Sequence, residues 1–258
     1  MISRIVALAL LGAGLAVQVS VPASAAEGER PFTVVETGKS YWRLDDAMAS
    51  IGGKDATIRI KPGTYKDCGI QESGRLTLQA EVPGTAILDG VVCEDKAALV
   101  LRGKSARIDG LVFQNMSVSD GNGAGIRIEG GNLEVVNSTF RDSEEGILGG
   151  AEKSMSIRID HSTFSGLGRC DRGLSCAHSI YIGTIGTLTV TNSRFERGTG
   201  GHYVKSWAAT TNVLDNSFDD TQGRDTNYMI DLPGGGVGTI ARNVFVQGIH
   251  KENHSALI

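Results

Sequence analysis

Six octapeptides decide the fold: ARIDGLVF (106–113), LEVVNSTF (133–140), IRIDHSTF (157–164), LTVTNSRF (188–195), TNVLDNSF (211–218) and GTIARNVF (238–245). Each ends in Phe, and five residues earlier stands a β-branched residue: Ile108, Val135, Ile159, Val190, Val213 and Ile240. The Phe residues are 27, 24, 31, 23 and 27 positions apart. A unit this short cannot bury its own apolar face, so the period marks stacked units sharing one core, a solenoid. Within the units the alternation is two, as in Leu133/Val135, Ile157/Ile159 and Leu188/Val190, which is a strand pattern. Two strands per period, separated by Gly, Asn, Asp and Ser, predict one coil of a parallel β-helix. The Leu-rich signature of a horseshoe is missing, and no Asn-Gly or Asp-Gly pair recurs between strands as propeller hairpins would require.

Working outward, ATIRIKPGTY (56–65), RLTLQAEV (75–82) and ALVLRG (98–103) read as earlier, looser coils. Cys68 and Cys93 then fall one coil apart, and strands about 4.8 Å apart suit a disulfide. Cys170 and Cys176 enclose a short polar loop and are expected to pair. Ser40 to Ile51 reads as an amphipathic helix plugging the N-terminal end, with Ser40 as N-cap and Trp42, Leu44, Met48 and Ile51 on its apolar side. No C-terminal cap is visible where a new strand begins at Ala256-Leu257-Ile258, so self-association through that uncapped coil is one expectation. Asn137 and Asn192 are expected to form an Asn ladder inside the turns.

The chain has 258 residues, 35 of them Gly, and a formal net charge of −4 with no basic block. Nucleic acid is therefore not an expected partner. Residues 1–26 read as a signal peptide: Arg4, an apolar run from Ile5 to Val17, and the small-residue site Ala23-Ser24-Ala25. Gln18, Ser20 and Pro22 interrupt that run too early for a membrane span. The expectation is a bacterial periplasmic or secreted protein, cleaved near Ala25 or Ala26, consistent with paired cysteines. The mature part, 27–258, reads as one all-β domain, with an N-terminal cap at 27–55 and coils over 56–258.

The export signal, the capping helix, the IKPGTY strand-turn and the stacked coils resemble the pectate-lyase-like right-handed parallel β-helix superfamily. The strings HSIYIG, GHYVKS, NYMIDLPGGG and ENHSALI resemble exported bacterial β-helix proteins to which no reaction is attached. The superfamily includes polysaccharide lyases, uronate epimerases, pectin methylesterases and polygalacturonase-type hydrolases, and fold alone does not choose among them.

Chemistry is expected on the strand carrying Tyr181, Lys205 and Asp231, whose spacings of 24 and 26 stack them outward on successive rungs. Ile180, Val204 and Ile230 take the inward column, and the same offsets continue to Ala256 and Leu257. Ser179, Tyr203 and Met229 are also placed outward, and His178, His202, Tyr228 and His254 at the start of each strand, with His250 nearby. An anionic uronate polymer needs a cation at its carboxylate before its C5 proton can leave. Lys205 and Arg127 offer that charge, with Tyr228 and Trp207 as further binding contacts. His202 or His178 would serve as base, and Tyr181, Tyr203 or Tyr228 as proton donor to the leaving oxygen. The loop 166–177 would wall one side.

The favoured reading is a lyase or C5-epimerase acting on an acidic polysaccharide. The alternatives are a non-catalytic glycan-binding or assembly protein and a glycoside hydrolase. A bland reading competes at each position: Lys205–Asp231 as a surface ion pair, and the histidines as turn residues bonded to backbone. Hydrolysis would need Asp231 with Asp219 or Asp220. No cofactor is expected. Calcium is the alternative, but Glu129 and Asp231 are the only acids on the outward row.

Overall fold

The computed structural model describes residues 29–258, and the expected leader lies outside the described residues. Three parallel sheets run the length of the molecule, with eight coil strands in the first, eight in the second and seven in the third. The chain makes seven complete turns and the first two strands of an eighth. Each coil has three strands, not two. Every octapeptide is split by a residue three positions before its Phe that adopts a left-handed conformation: Gly110, Asn137, His161, Asn192, Asp215 and Arg242, with φ between 47° and 74°. The first half, such as Ser156–Asp160, lies in sheet one. The Phe then belongs to a short second strand, such as Thr163–Ser165, in sheet two. The third sheet follows after loops of unequal length.

The β-branched row stacks as expected. Ile108, Val135, Ile159, Val190, Val213 and Ile240 face one another rung by rung in sheet one. Leu78 and Ile58 extend the row toward the N-terminus. From Phe113 to Phe245 the six rings stack almost parallel in sheet two, with centroids 4.7–4.9 Å apart. That separation is one strand spacing, so backbone ladder and ring stack enforce the same register.

The ladder inside the corner differs from expectation. Asn137 and Asn192 occupy the left-handed corner on the outside, where short polar side chains tolerate φ > 0. The following residue turns inward instead. Ser138, Ser162, Ser193 and Asn216 are buried, and each accepts the backbone N–H of its counterpart one coil earlier: Leu111 into Ser138, Ser138 into Ser162, Ser162 into Ser193 and Ser193 into Asn216. Asn243 completes the series by accepting from Asn216 at 2.9 Å. These bonds satisfy corner N–H groups that no neighbouring strand reaches.

The N-terminal end is closed by a hairpin, Phe32–Val34 with Lys39–Tyr41, added antiparallel to the first coil, and by helix α1, Leu44–Ile51. The helix is shorter than expected. Ser40 lies in the hairpin with its hydroxyl 2.8 Å from that of Thr33, and Trp42 is exposed. The buried carboxylate of Asp67 takes the N-terminal role instead, accepting the Leu44 N–H at 2.8 Å. Leu44, Ala47 and Met48 face the core.

Both expected disulfides are present. Cys68–Cys93 staples the first coil to the second with Cα atoms 5.6 Å apart, and Cys170–Cys176 closes its loop. Among the described residues no helix is long and apolar enough to cross a membrane.

Phe164 is fully buried between two rings of the stack. Phe164→Ala is expected to cost about 3–5 kcal/mol, measured by urea unfolding. A cost under about 1 kcal/mol would show that the ring stack does not hold the coils together.

Candidate active site

Sheet three carries the candidate site. Its inward column runs Leu99, Ile126, Ile147, Ile180, Val204, Ile230. Beside it, facing out, are Ile70, Val100, Arg127, Leu148, Tyr181, Lys205 and Asp231. Tyr181, Lys205 and Asp231 therefore sit on three consecutive rungs, as their spacing predicts. Among the described residues the column ends there. Residues 247–258 form no strand, and the N–H groups of Met229 and Ile230 both converge on the Leu257 carbonyl.

Lys205 is partly buried between its neighbours. Its ammonium lies 5.1 Å from the Tyr181 ring centroid and 3.8 Å from Asp231 Oδ2. A cation over an aromatic face gains from the ring quadrupole. Trp207, two residues beyond Lys205, is 40 % exposed. Arg127 stands two rungs from Tyr181 with Leu148 between them, and its Nε is 3.8 Å from Glu129 Oε1. It lies on the expected row but outside the Tyr181–Asp231 cluster.

Two residues before each inward position runs a further column: Ala97, Ala124, Glu145, His178, His202, Tyr228. The His178 and His202 rings stack at 4.8 Å, and Tyr228 continues the stack at 5.6 Å. Three of these side chains, Glu145, His178 and His202, accept a backbone N–H of the next coil. Glu145 Oε1 receives it from His178 at 3.3 Å, His178 Nδ1 from His202 at 2.9 Å, and His202 Nδ1 from Tyr228 at 3.1 Å. An Nδ1 that accepts leaves the imidazole proton on Nε2. His202 Nε2 lies 3.3 Å from Asp231 Oδ2.

These contacts correct several assignments. His178 is 3 % exposed, and burial pushes its pKa down to about 2, helped by the charges of His202 and Lys205. It is a structural acceptor, not an accessible base. In His202, Nδ1 is taken by the Tyr228 N–H and Nε2 sits against Asp231. Burial lowers its pKa against the opposing pull of Asp231, so it orients Asp231 and is not free to take a proton. Tyr203 points inward, not outward: it is 1 % exposed, donates to Asp220 Oδ1 at 2.6 Å and accepts from the Gly198 N–H. Burial and the Asp220 carboxylate raise its pKa strongly. Ser179 and Met229 are buried too, because the chain is still rounding the corner and alternation has not begun. His250 and His254 are exposed and do not join the stack.

The pair Asp219 and Asp220 does not complement Asp231. Asp220 is sealed between Tyr203 and Thr226, and Asp219 belongs to sheet two, bonded to Thr221. Glu129 is paired with Lys96 and Arg102, each at 2.8 Å. Among the described residues no three His, Cys, Asp or Glu side chains converge as metal ligands.

The place of Glu145 in this column escaped the sequence reading, although the step from Glu145 to His178 equals the step from Ile147 to Ile180. It is fully buried, and desolvation raises its pKa well above the ordinary carboxylate value. Its neighbour Glu144 ties two loops together, accepting from the N–H groups of Val118 and Gly123 in 115–123 and from Arg172 in 166–179.

Residues 86–250 match the family described as the right-handed β-helix region, and the chain belongs to that family. No curated protein matches it. The β-helix fold is one that polysaccharide-active proteins use.

The buried column predicts opposite pH effects. Folded His178 stays neutral below its ordinary value of 6.5, while the unfolded chain takes up a proton there, so stability falls as pH falls. Folded Glu145 stays protonated above its ordinary 4.5, so stability falls as pH rises. His178→Asn should therefore gain on the wild type below pH 6.5, by up to about 1.4 kcal/mol per pH unit. Glu145→Gln should gain on it as pH rises above 4.5. Urea unfolding across pH checks both, and parallel stability curves would contradict the burial argument.

Proposed function

We propose that this protein is exported and acts on an acidic, uronate-containing polysaccharide by β-elimination or C5 epimerisation. The observation that carries the reading is the Lys205 ammonium, half-buried between an aromatic ring and a carboxylate on three consecutive outward rungs. Lys205 pairs with the uronate carboxylate, and neutralising that charge acidifies the C5 proton. Asp231, whose Oδ2 lies 3.3 Å from His202 Nε2, takes the proton. In elimination the C5–H electrons form the C4–C5 double bond, the C4–O4 bond breaks, and the Tyr181 hydroxyl protonates the leaving oxygen. In epimerisation Tyr181 returns a proton to C5 from the opposite face. Tyr228 and Trp207 supply stacking surface for neighbouring sugars.

Incubation with alginate, pectate, glycosaminoglycans and acidic exopolysaccharides tests this. Elimination yields an ultraviolet-absorbing unsaturated uronate, and epimerisation exchanges solvent deuterium into C5. Lys205→Ala should weaken polymer binding about 10–100-fold, the value of one charge-assisted contact. Asp231→Asn should lower turnover about 10²–10⁴-fold with binding retained. Binding that depends on Lys205, without either product, would leave a glycan-binding protein. No binding to any acidic polymer would reject the site.

A further inference from the structure

Helix α1 covers the first coil unevenly. At Gly69 the fit is close: a Cβ there would lie 2.2 Å from Met48 Sδ. Just beyond, between the C-terminal half of α1 and the strand Gly69–Gln71, lies a cavity of about 240 Å³. Met48, Ile51, Ile70 and Leu76 give it an apolar wall. The helix stops at Gly52, whose φ of 59° is left-handed, and the exposed Gly52 and Gly53 line the cavity without side chains. Gln71 lines it too and is 5 % exposed. Its Nε2 donates to the carbonyls of Gly74 at 3.2 Å and Ser105 at 3.0 Å, which fixes the orientation of the amide. Its Oε1 is buried and accepts no hydrogen bond from the described residues. An unpaired buried acceptor is destabilising, and folded proteins seldom keep one that no water or ligand answers.

We propose that this cavity binds a small apolar ring compound carrying one N–H or O–H donor, which Gln71 Oε1 accepts. The wall selects the apolar body, since a polar group set against Met48, Ile70 or Leu76 would lose its water without gaining a partner. The volume sets the size. An apolar cavity of about 150 Å³ admits benzene, so the larger space here accommodates a bicyclic ring. The unpaired oxygen sets the polarity: a donor supplies the missing bond, whereas an acceptor in its place would be repelled. Met48 lets the wall adapt, because its unbranched thioether side chain repacks easily around irregular shapes. The cavity lies four rungs from Tyr181 along sheet three, so it is separate from the polysaccharide site.

Calorimetric titration of the full chain with indole, a bicyclic ring with one N–H donor, tests the inference. Saturable one-to-one binding is expected, with a Kd of about 1 mM or tighter for nine heavy atoms. Benzofuran has the same shape but carries an acceptor oxygen in place of the N–H. It should bind at least about tenfold more weakly, the value of one hydrogen bond. Ala49 is an exposed residue on the cavity wall, so Ala49→Phe should fill the space and abolish indole binding while the far-ultraviolet circular dichroism stays unchanged. Absence of saturable indole binding, as in a cavity that holds only water, would overturn the inference. So would binding that survives Ala49→Phe, or benzofuran binding as tightly as indole. None of these outcomes bears on the polysaccharide reading, which is measured at Lys205 and Asp231.

Discussion

The stacking of each coil on the last rests on one corner. Three residues before each of the six stacked Phe the backbone passes through the left-handed region, and there the chain leaves sheet one for sheet two. A corner of fixed length keeps strand, ring and hydroxyl columns in register together. The Ser138 to Asn243 series then ties the corner N–H groups from coil to coil inside the core. The other connections are free to vary. The uneven Phe spacing is taken up mainly between sheets two and three, where residues 115–123, 166–179 and 220–229 leave the solenoid. Variable loops thus gather beside sheet three without disturbing the core.

That freedom changes the physical meaning of an outward position. In an open solenoid the Glu145–His178–His202 column would face water. Here a carboxyl and an imidazole are buried and hold their charge-neutral forms. Their acceptor atoms are used for backbone N–H groups of the next coil, the same device as the Ser and Asn series in the corner. Burying an ionised group without a partner would cost far more than shifting its pKa.

The legible part of the sequence was the part governed by period. The β-branched row, the Phe stack, the Cys68–Cys93 staple and the rungs of Tyr181, Lys205 and Asp231 all follow from spacing alone, because one coil equals one strand step. What spacing could not show is direction near a corner. Tyr203 and Val204 are adjacent, yet both point inward, since alternation holds only within a strand. The left-handed corner likewise hid the third strand of each coil and moved the inner ladder from Asn137 to Ser138. Ser40 looked like an N-cap because local pattern cannot reveal that Asp67, far downstream, reaches the helix start.

The position of the candidate site follows from what covers the rest of its face. Along the outward row of sheet three, Val100 and Leu148 are buried in an outer apolar cluster with Ala97 and Ala124, and Ile70, Cys93 and Tyr181 pack against it. Cys93 reaches that cluster while bonded to Cys68, so the N-terminal staple also holds the cover in place. Tyr181 is where the apolar cover ends. One face of its environment packs on the cluster and the other meets Lys205. The polar rungs then run from Lys205 to Asp231, the last rung of that sheet among the described residues. The ammonium of Lys205 and the carboxylate of Asp231 are thereby confined to one short stretch of the outward row, next to the ring at which the apolar cover ends.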